Sequence, residues 1–291
     1  MDQVKRFWDD QAKEFGESDL ATAPDHYYRE MEIERIEAHL RDGDTILDVG
    51  CGNGYSTLRF AQKFPNCRIV GIDYSDPMIE AANTVLAKSG LGERVSFLVG
   101  DVRSLTDHPL LHGKTFTAVV SERCIINLAN WDEQRTALLQ MRALLEPDGR
   151  IILTENTQEG LARLNGLRKQ FGLHEISVRW HNFYVPQQKF EDFAAEHFTV
   201  EAKQNIGNLY YLMSRVLYAK LAADEGQEPR YEHPINRIAA QLPSLDQYEF
   251  SPNYIYVLRH PAGRELERAF SDAARQKYQK EIDAFTVKPD E

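Results

Sequence analysis

Apolar residues in the first half of the chain gather into short β-branched runs, each stopping at a small or acidic residue: TILDVG at 45–50, CRIVGID at 67–73 and RVSFLVGD at 94–101. Runs that are apolar throughout, without alternation, predict strands buried on both faces, as in a parallel sheet. Between them the spacing turns helical, first in YSTLRFAQKF. In PMIEAANTVLAK, Met78, Ile79, Ala82, Val85 and Leu86 follow the i, i+3, i+4, i+7 spacing of one apolar face, with Pro77 near the helix start. FTAVVSE (116–122) predicts a fourth strand, DEQRTALLQMRALL a helix capped by Asp132, and GRIILTE (149–155) a fifth strand after the EPDG turn. Alternating β and α predict a doubly wound, mostly parallel α/β sheet.

The second half changes character. HFTVEAKQNI (197–206) and NYIYVLRH (253–260) read as two further strands, separated by a long segment holding a helical YYLMSRVLYAKLAA and a polar, proline-containing loop. A connection of that length is usually functional or a small lobe. The expected organisation is an N-terminal helical cap (1–44), a core (45–156), an insertion or lid (157–195), core strands at 196–206 and 253–260, a helical substrate-side insertion (207–252) and a helical tail (261–291).

Composition narrows the partners. The formal net charge is −11, from 34 basic and 45 acidic residues, and offers no footprint for a nucleic-acid backbone or an anionic membrane. Cys51, Cys67 and Cys124 are scattered without a CxxC pair, which suits a reducing compartment and argues against a metal site. The N-terminal MDQVKRFWDD lacks an apolar leader pattern, so the expected address is cytoplasmic.

The densest chemical signal is ILDVGCGNGYS (46–56), where Gly50, Gly52 and Gly54 follow Asp48. Glycine admits positive φ and close backbone approach, so such a strand-to-helix turn is expected to present free N–H groups to a ligand. A dinucleotide fingerprint would need glycine where Tyr55 stands, and a phosphate-binding loop would need a following lysine. What remains is D-x-G-x-G-x-G, with Asp73 closing the second strand. An ionised carboxylate there accepts two hydrogen bonds, which complements a vicinal diol and repels a 2′-phosphate.

Over about residues 45–156 this pattern resembles the class I S-adenosylmethionine-dependent methyltransferases of small-molecule type. The resemblance implies a seven-stranded Rossmann-like sheet with an antiparallel last strand, and S-adenosylmethionine as methyl donor with S-adenosylhomocysteine as product. It also implies that Gly50, Cys51, Gly52 and Gly54 wrap the amino acid part of the donor, with Asp48 acting on its ammonium. By the same resemblance Asp73 binds the ribose hydroxyls, Tyr74 and Met78 cover the adenine, and Asp101 and Val102 meet its amino edge. Met78 suits core filling nearly as well. SERCIINL (121–128) matches the segment beneath the methionine moiety, which makes Glu122 and Arg123 donor-binding candidates and Asn127 a residue facing the acceptor.

Acceptor chemistry is read from the insertions. HEISVRWHNFYVP (174–186) holds His174, Trp180, His181, Asn182 and Tyr184; His181 is the candidate general base or acceptor anchor, and Asn182 and Tyr184 orient a polar substrate. Trp8, Phe15, Tyr27 and Tyr28 of the N-terminal cap are expected to shield the methyl from water. NLYYLMSRVLY with Arg215, and YEHPINR, suit either walls of an acceptor pocket or a homodimer contact. The function expected is methyl transfer to a small polar acceptor, at a hydroxyl oxygen of a metabolite or sugar unit. N-methylation, a nicotinamide oxidoreductase and a non-catalytic binding partner stand as alternatives.

Overall fold

The computed structural model describes residues 2–243, 245 and 248–260. The expected tail at 261–291 lies outside the described residues. Strands β1 (Thr45–Val49), β2 (Arg68–Asp73), β3 (Val95–Val99), β4 (Phe116–Glu122), β5 (Leu145–Asn156), β6 (Thr199–Asn205) and β7 (Asn253–Arg259) form one sheet, in the order β3-β2-β1-β4-β5-β7-β6. The first five pair in parallel, and β7 runs antiparallel between β5 and β6. The expected doubly wound sheet with an antiparallel last strand is the one observed.

Successive strand residues feed opposite faces, as the two-residue period requires. Ile46, Ile152 and Ile255 pack on one side with Ile33 and Ile36 of helix α2 (His26–Glu37), and with Leu58, Phe60 and Ala61 of α3 (Tyr55–Lys63). Leu47, Val49, Ile151 and Leu153 pack on the other side, with Ala137, Leu138 and Met141 of α5 (Trp131–Ala143). β6 is largely exposed and carries Glu201 and Lys203, charges that blunt an edge strand.

Two local expectations are corrected. Helix α5 is capped by Asn130, whose side chain accepts the Glu133 N–H at 3.0 Å; Asp132 lies inside the first turn and pairs with Arg135 instead. β5 begins at Leu145 rather than 149, because Leu145 pairs with Phe116 and Arg150 with Ala118 while 146–149 bulge between them.

The N-terminal segment lies over the carboxyl end of the sheet. Helix α1 (Asp2–Phe15) packs on α4 (Asp76–Ser89), with Trp8, Phe15 and Ala12 against Met78. The Asn53 amide donates to the Gly16 and Ser18 carbonyls at 3.1 and 2.8 Å, tying this cap to the glycine turn. At the opposite end of the sheet, Arg150 on β5 pairs with buried Asp44 at 2.5 Å and donates to the His39 carbonyl. Arg150→Ala leaves that carboxylate buried without its cation and is expected to lower unfolding free energy by about 3–5 kcal/mol in a urea titration. Removing half-buried Arg259, paired with exposed Glu201, is expected to cost less than about 1 kcal/mol.

Candidate active site at the carboxyl ends of the central strands

Strand order reverses at β1, so the loops after β1 and β4 leave in opposite directions and open a crevice, the usual ligand position in an open α/β sheet. A cavity of about 300 Å³ occupies it. It is lined by Asp48, Gly50, Cys51, Gly52, Asp73, Tyr74, Met78, Asp101, Val102, Glu122, Arg123 and Asn127, and on the insertion side by His181, Asn182 and Tyr184. The structure therefore brings most of the sequence candidates together, Trp8 and Tyr28 of the cap included, whereas Phe15, Tyr27, Gly54, His174 and Trp180 are not part of the lining.

The glycine turn works differently from the expectation. Gly50, Gly52 and Gly54 all have positive φ, but the turn's N–H groups at 50, 51, 52 and 54 donate within the protein. Gly50 and Cys51 donate to the Ile72 carbonyl, Gly52 to Asp73 Oδ2 at 3.0 Å, and Gly54 to the Cys51 carbonyl. Close packing supplies the other reason for glycine. A Cβ on Gly50 would stand 2.5 Å from Cys124 Sγ, one on Gly52 2.6 Å from the Thr22 methyl, and one on Gly54 2.6 Å from the Phe97 ring. The turn offers shape and holds Asp73 in place.

Asp73 Oδ1 also accepts the Ser75 N–H at 2.9 Å, while Ser75, not Asp73, caps α4. Burial pushes the Asp73 carboxyl up to about 6 against the pull of these two amides. Asp48 is buried and accepts the Thr57 hydroxyl at 2.5 Å; burial, with Glu122 and Asp73 nearby, raises it to about 7. Asp101 accepts from Arg103 through both oxygens, at 2.6 to 3.2 Å, and caps its own short turn. Glu122 Oε2 accepts the Ser56 hydroxyl at 2.7 Å, and its buried Oε1 has no hydrogen-bond partner.

Arg123 has φ of +50°, the one positive value at a non-glycine residue among those described. Such a conformation persists only where the surroundings enforce it. Here the Arg123 guanidinium meets Glu32 at 3.0 Å and Glu122 at 3.6 Å, and its own N–H donates to the Thr154 carbonyl. Glu32 on α2 is fully buried, accepts the Asn253 amide at 2.6 Å and is raised by burial to about 8 despite Arg123. Glu155 on β5 is buried as well, accepts the Ile125 N–H and is held well above the usual carboxylate range by burial. Neither Glu32 nor Glu155 is marked in the sequence: one sits within an ordinary helical stretch, the other ends an apolar strand.

Asn127 lines the cavity and is also held by hydrogen bonds of its own. Its carbonyl accepts the Trp8 indole N–H at 3.1 Å and its amide donates to the Arg123 and Cys124 carbonyls, so it latches α1 to the loop after β4. His181 stacks on Phe7 at 4.2 Å between ring centres and meets Trp8 and Trp180 edge-on. Its Nδ1 is buried with no hydrogen-bond partner, and burial, with Arg179 near, lowers its pKa to about 4. The imidazole is therefore neutral and weakly basic at pH 7. Tyr211, Arg215 and Tyr231 from the 207–252 insertion complete the wall, as one of the two sequence readings of that segment expects.

The structure is thus an open α/β domain with a carboxylate-lined crevice at its topological switch point. Residues 46–149 match the family described as a methyltransferase domain. The chain is similar to demethylmenaquinone methyltransferase of Symbiobacterium thermophilum, with 31% identity over 41% of this chain and 45% of that protein. It is also similar to nocamycin O-methyltransferase of Saccharothrix syringae, at 34% over 39% of this chain and 38% of that one. The matched region is less than half the length of either relative. In fold it resembles the N-methyltransferase NodS of Bradyrhizobium japonicum in complex with S-adenosyl-L-homocysteine, with a TM-score of 0.51 and 14% identity over 88% of this chain and 98% of that one.

The residues fit such a donor: buried Glu122 Oε1 accepts no hydrogen bond and has the Arg123 guanidinium at 3.6 Å, and buried Asp48 has no cation paired with it among the described residues. With its carboxyl raised to about 7, Asp48 gains negative charge as pH rises through neutrality, and a cation placed beside it favours the ionised form. Affinity for S-adenosylhomocysteine is expected to rise by up to about tenfold per pH unit from pH 5.5 to 7 and to level off by pH 8, with Asp73 acting in the same direction. Calorimetry in buffers of different ionisation enthalpy checks this, and Asp48→Asn is expected to flatten the slope.

Proposed function

We propose that the chain transfers the methyl group of S-adenosylmethionine to a hydroxyl oxygen of a small metabolite enclosed between the core and its insertions. One observation carries the reading: a single cavity runs from Asp48, Asp73 and Glu122 to His181, Tyr184, Tyr211 and Tyr231, so donor and acceptor ends share one enclosure. When bound, the donor supplies an electrophilic methyl on a sulfonium, which leaves the protein to align and to exclude water.

In this reading Asp48 and Glu122 receive the positive groups of the donor, Asp73 receives the ribose hydroxyls, and Asp101, Val102, Tyr74 and Met78 frame the adenine. Gly50 to Gly54 shape the bed of the amino acid part. Trp8 and His181 bound the cavity, and Phe7 and Trp180 pack against them from outside the lining. His181 Nδ1 orients the acceptor hydroxyl, and Tyr184 bounds it. A histidine held near pKa 4 is a poor base, which favours an acceptor oxygen that is itself acidic, such as a phenol, over a sugar alcohol. The nicotinamide alternative loses its support with the match of residues 46–149 to a methyltransferase domain.

Calorimetry with S-adenosylhomocysteine and NADH tests the donor: binding of the first and not the second is expected, and the reverse overturns the reading. Tritiated-methyl incorporation from S-adenosylmethionine into a metabolite extract tests turnover. His181→Ala is expected to lower that incorporation by about tenfold or more with S-adenosylhomocysteine affinity intact. Unchanged turnover removes His181 from the acceptor's contacts.

A further inference from the structure

Arg168 and Arg215 approach each other where the two insertions meet, and Arg179 lines the same cavity. Arg215 lies in the π-helical stretch Leu212–Leu217 that joins α8 (Asn208–Tyr211) to α9 (Tyr218–Asp224). Such wide turns often accompany functional sites, because they loosen the backbone ladder and re-aim side chains. Here the Arg215 carbonyl accepts Arg168 from α6 (Gln158–Gln170), and the Arg215 side chain pairs with Asp25 at the start of α2. Asp25 is fixed in turn by the Tyr210 hydroxyl at 2.7 Å and the Tyr28 N–H at 3.1 Å. The Arg215 guanidinium stands 4.9 Å from the centre of the Tyr231 ring and 5.5 Å from that of Tyr211, a geometry of cation–π contact. It is a planar donor fork held rigid before any ligand arrives.

Its surroundings carry excess positive charge. Arg168 donates to the His174 and Arg215 carbonyls, and Arg179 lines the same cavity from the lid; among the described residues neither has a carboxylate partner. Burial and the neighbouring Arg215 hold the Arg168 guanidinium below its usual range. Asp25 is the one carboxylate paired in this cluster, in a chain whose net charge is −11. The rest of the wall is Leu161, Leu164, Ile176, Tyr184, Tyr211 and Tyr231, which is apolar and aromatic.

We propose that the acceptor is a small organic oxyanion, a carboxylate or phosphate on an apolar body, held by Arg215 and Arg179 against this tyrosine wall. The proposal rests on the methyl-transfer reading and names its substrate class. The oxyanion supplies the missing countercharge and takes the guanidinium forks, while its body fills the apolar wall.

The test is calorimetry on the full chain saturated with S-adenosylhomocysteine, using two matched pairs: 4-hydroxyphenylacetate with 4-hydroxyphenylacetamide, and phenyl phosphate with phenol. At least one acid is expected to bind about tenfold or more tighter than its neutral partner, and the tighter acid identifies the oxyanion. In Arg179→Ala and Arg215→Lys the preference is expected to fall below about threefold with S-adenosylhomocysteine affinity unchanged. Thermal denaturation reports whether Arg215→Lys folds; where it does not, exposed Arg179 decides alone. Equal binding within both pairs, no binding by either acid, or a preference that survives substitution in a folded variant overturns the proposal. Failure of S-adenosylhomocysteine to bind the wild type overturns the methyl-transfer reading and this proposal with it, whereas bound S-adenosylhomocysteine without acid preference overturns the acceptor class alone.

Discussion

A carboxylate buried without a cation is costly, and this structure gathers five acids near the carboxyl end of its sheet: Asp48, Asp73, Glu122, Glu155 and, from α2, Glu32. Arg123 is the cation paired with Glu32 and Glu122. Burial answers the surplus by raising Asp48, Asp73, Glu32 and Glu155 toward the neutral form. The positive φ of Arg123 belongs to the same constraint, since the backbone bends to bring its guanidinium between two acids.

The glycine turn and the N-terminal cap are parts of one assembly. Thr22 occupies the space a Gly52 side chain would need, Asn53 binds the Gly16 and Ser18 carbonyls, and the Tyr55 hydroxyl donates to Glu30 at 2.7 Å while Arg29 lies over its ring. The cap is thereby registered on the turn, and through Trp8 and Asn127 it is registered on the loop after β4 as well. Alignment of a donor and an acceptor depends on such fixed contacts more than on any single catalytic group.

The far side of the cavity follows other rules. Its wall comes from α6, the 171–186 lid and the 207–252 insertion, joined through Arg168, Arg215 and Asp25. These are long-range contacts between polar side chains, which leave no periodic trace. The turn after β1 reads as a ligand site in any such fold, whereas this wall is built from segments outside the matched residues 46–149.

By itself the sequence determined the sheet, its first five strands and the helices between them, because unbroken β-branched runs and a 3.6-residue spacing are local properties. It also singled out the donor-side residues, since D-x-G-x-G-x-G and a strand-ending Asp73 are local chemistry. Tertiary structure decided the rest. Asn130 rather than Asp132 caps α5, because cap geometry depends on where the chain enters the helix. The turn's N–H groups serve Ile72 and Asp73, because parallel pairing brings β2 beside β1. Asn127 became a latch only when α1 folded back over 119 residues to reach it. Glu32, Glu155 and the Arg215–Asp25 pair were invisible for one reason: the burial and partners that set the protonation and direction of a charged side chain are properties of the packed molecule.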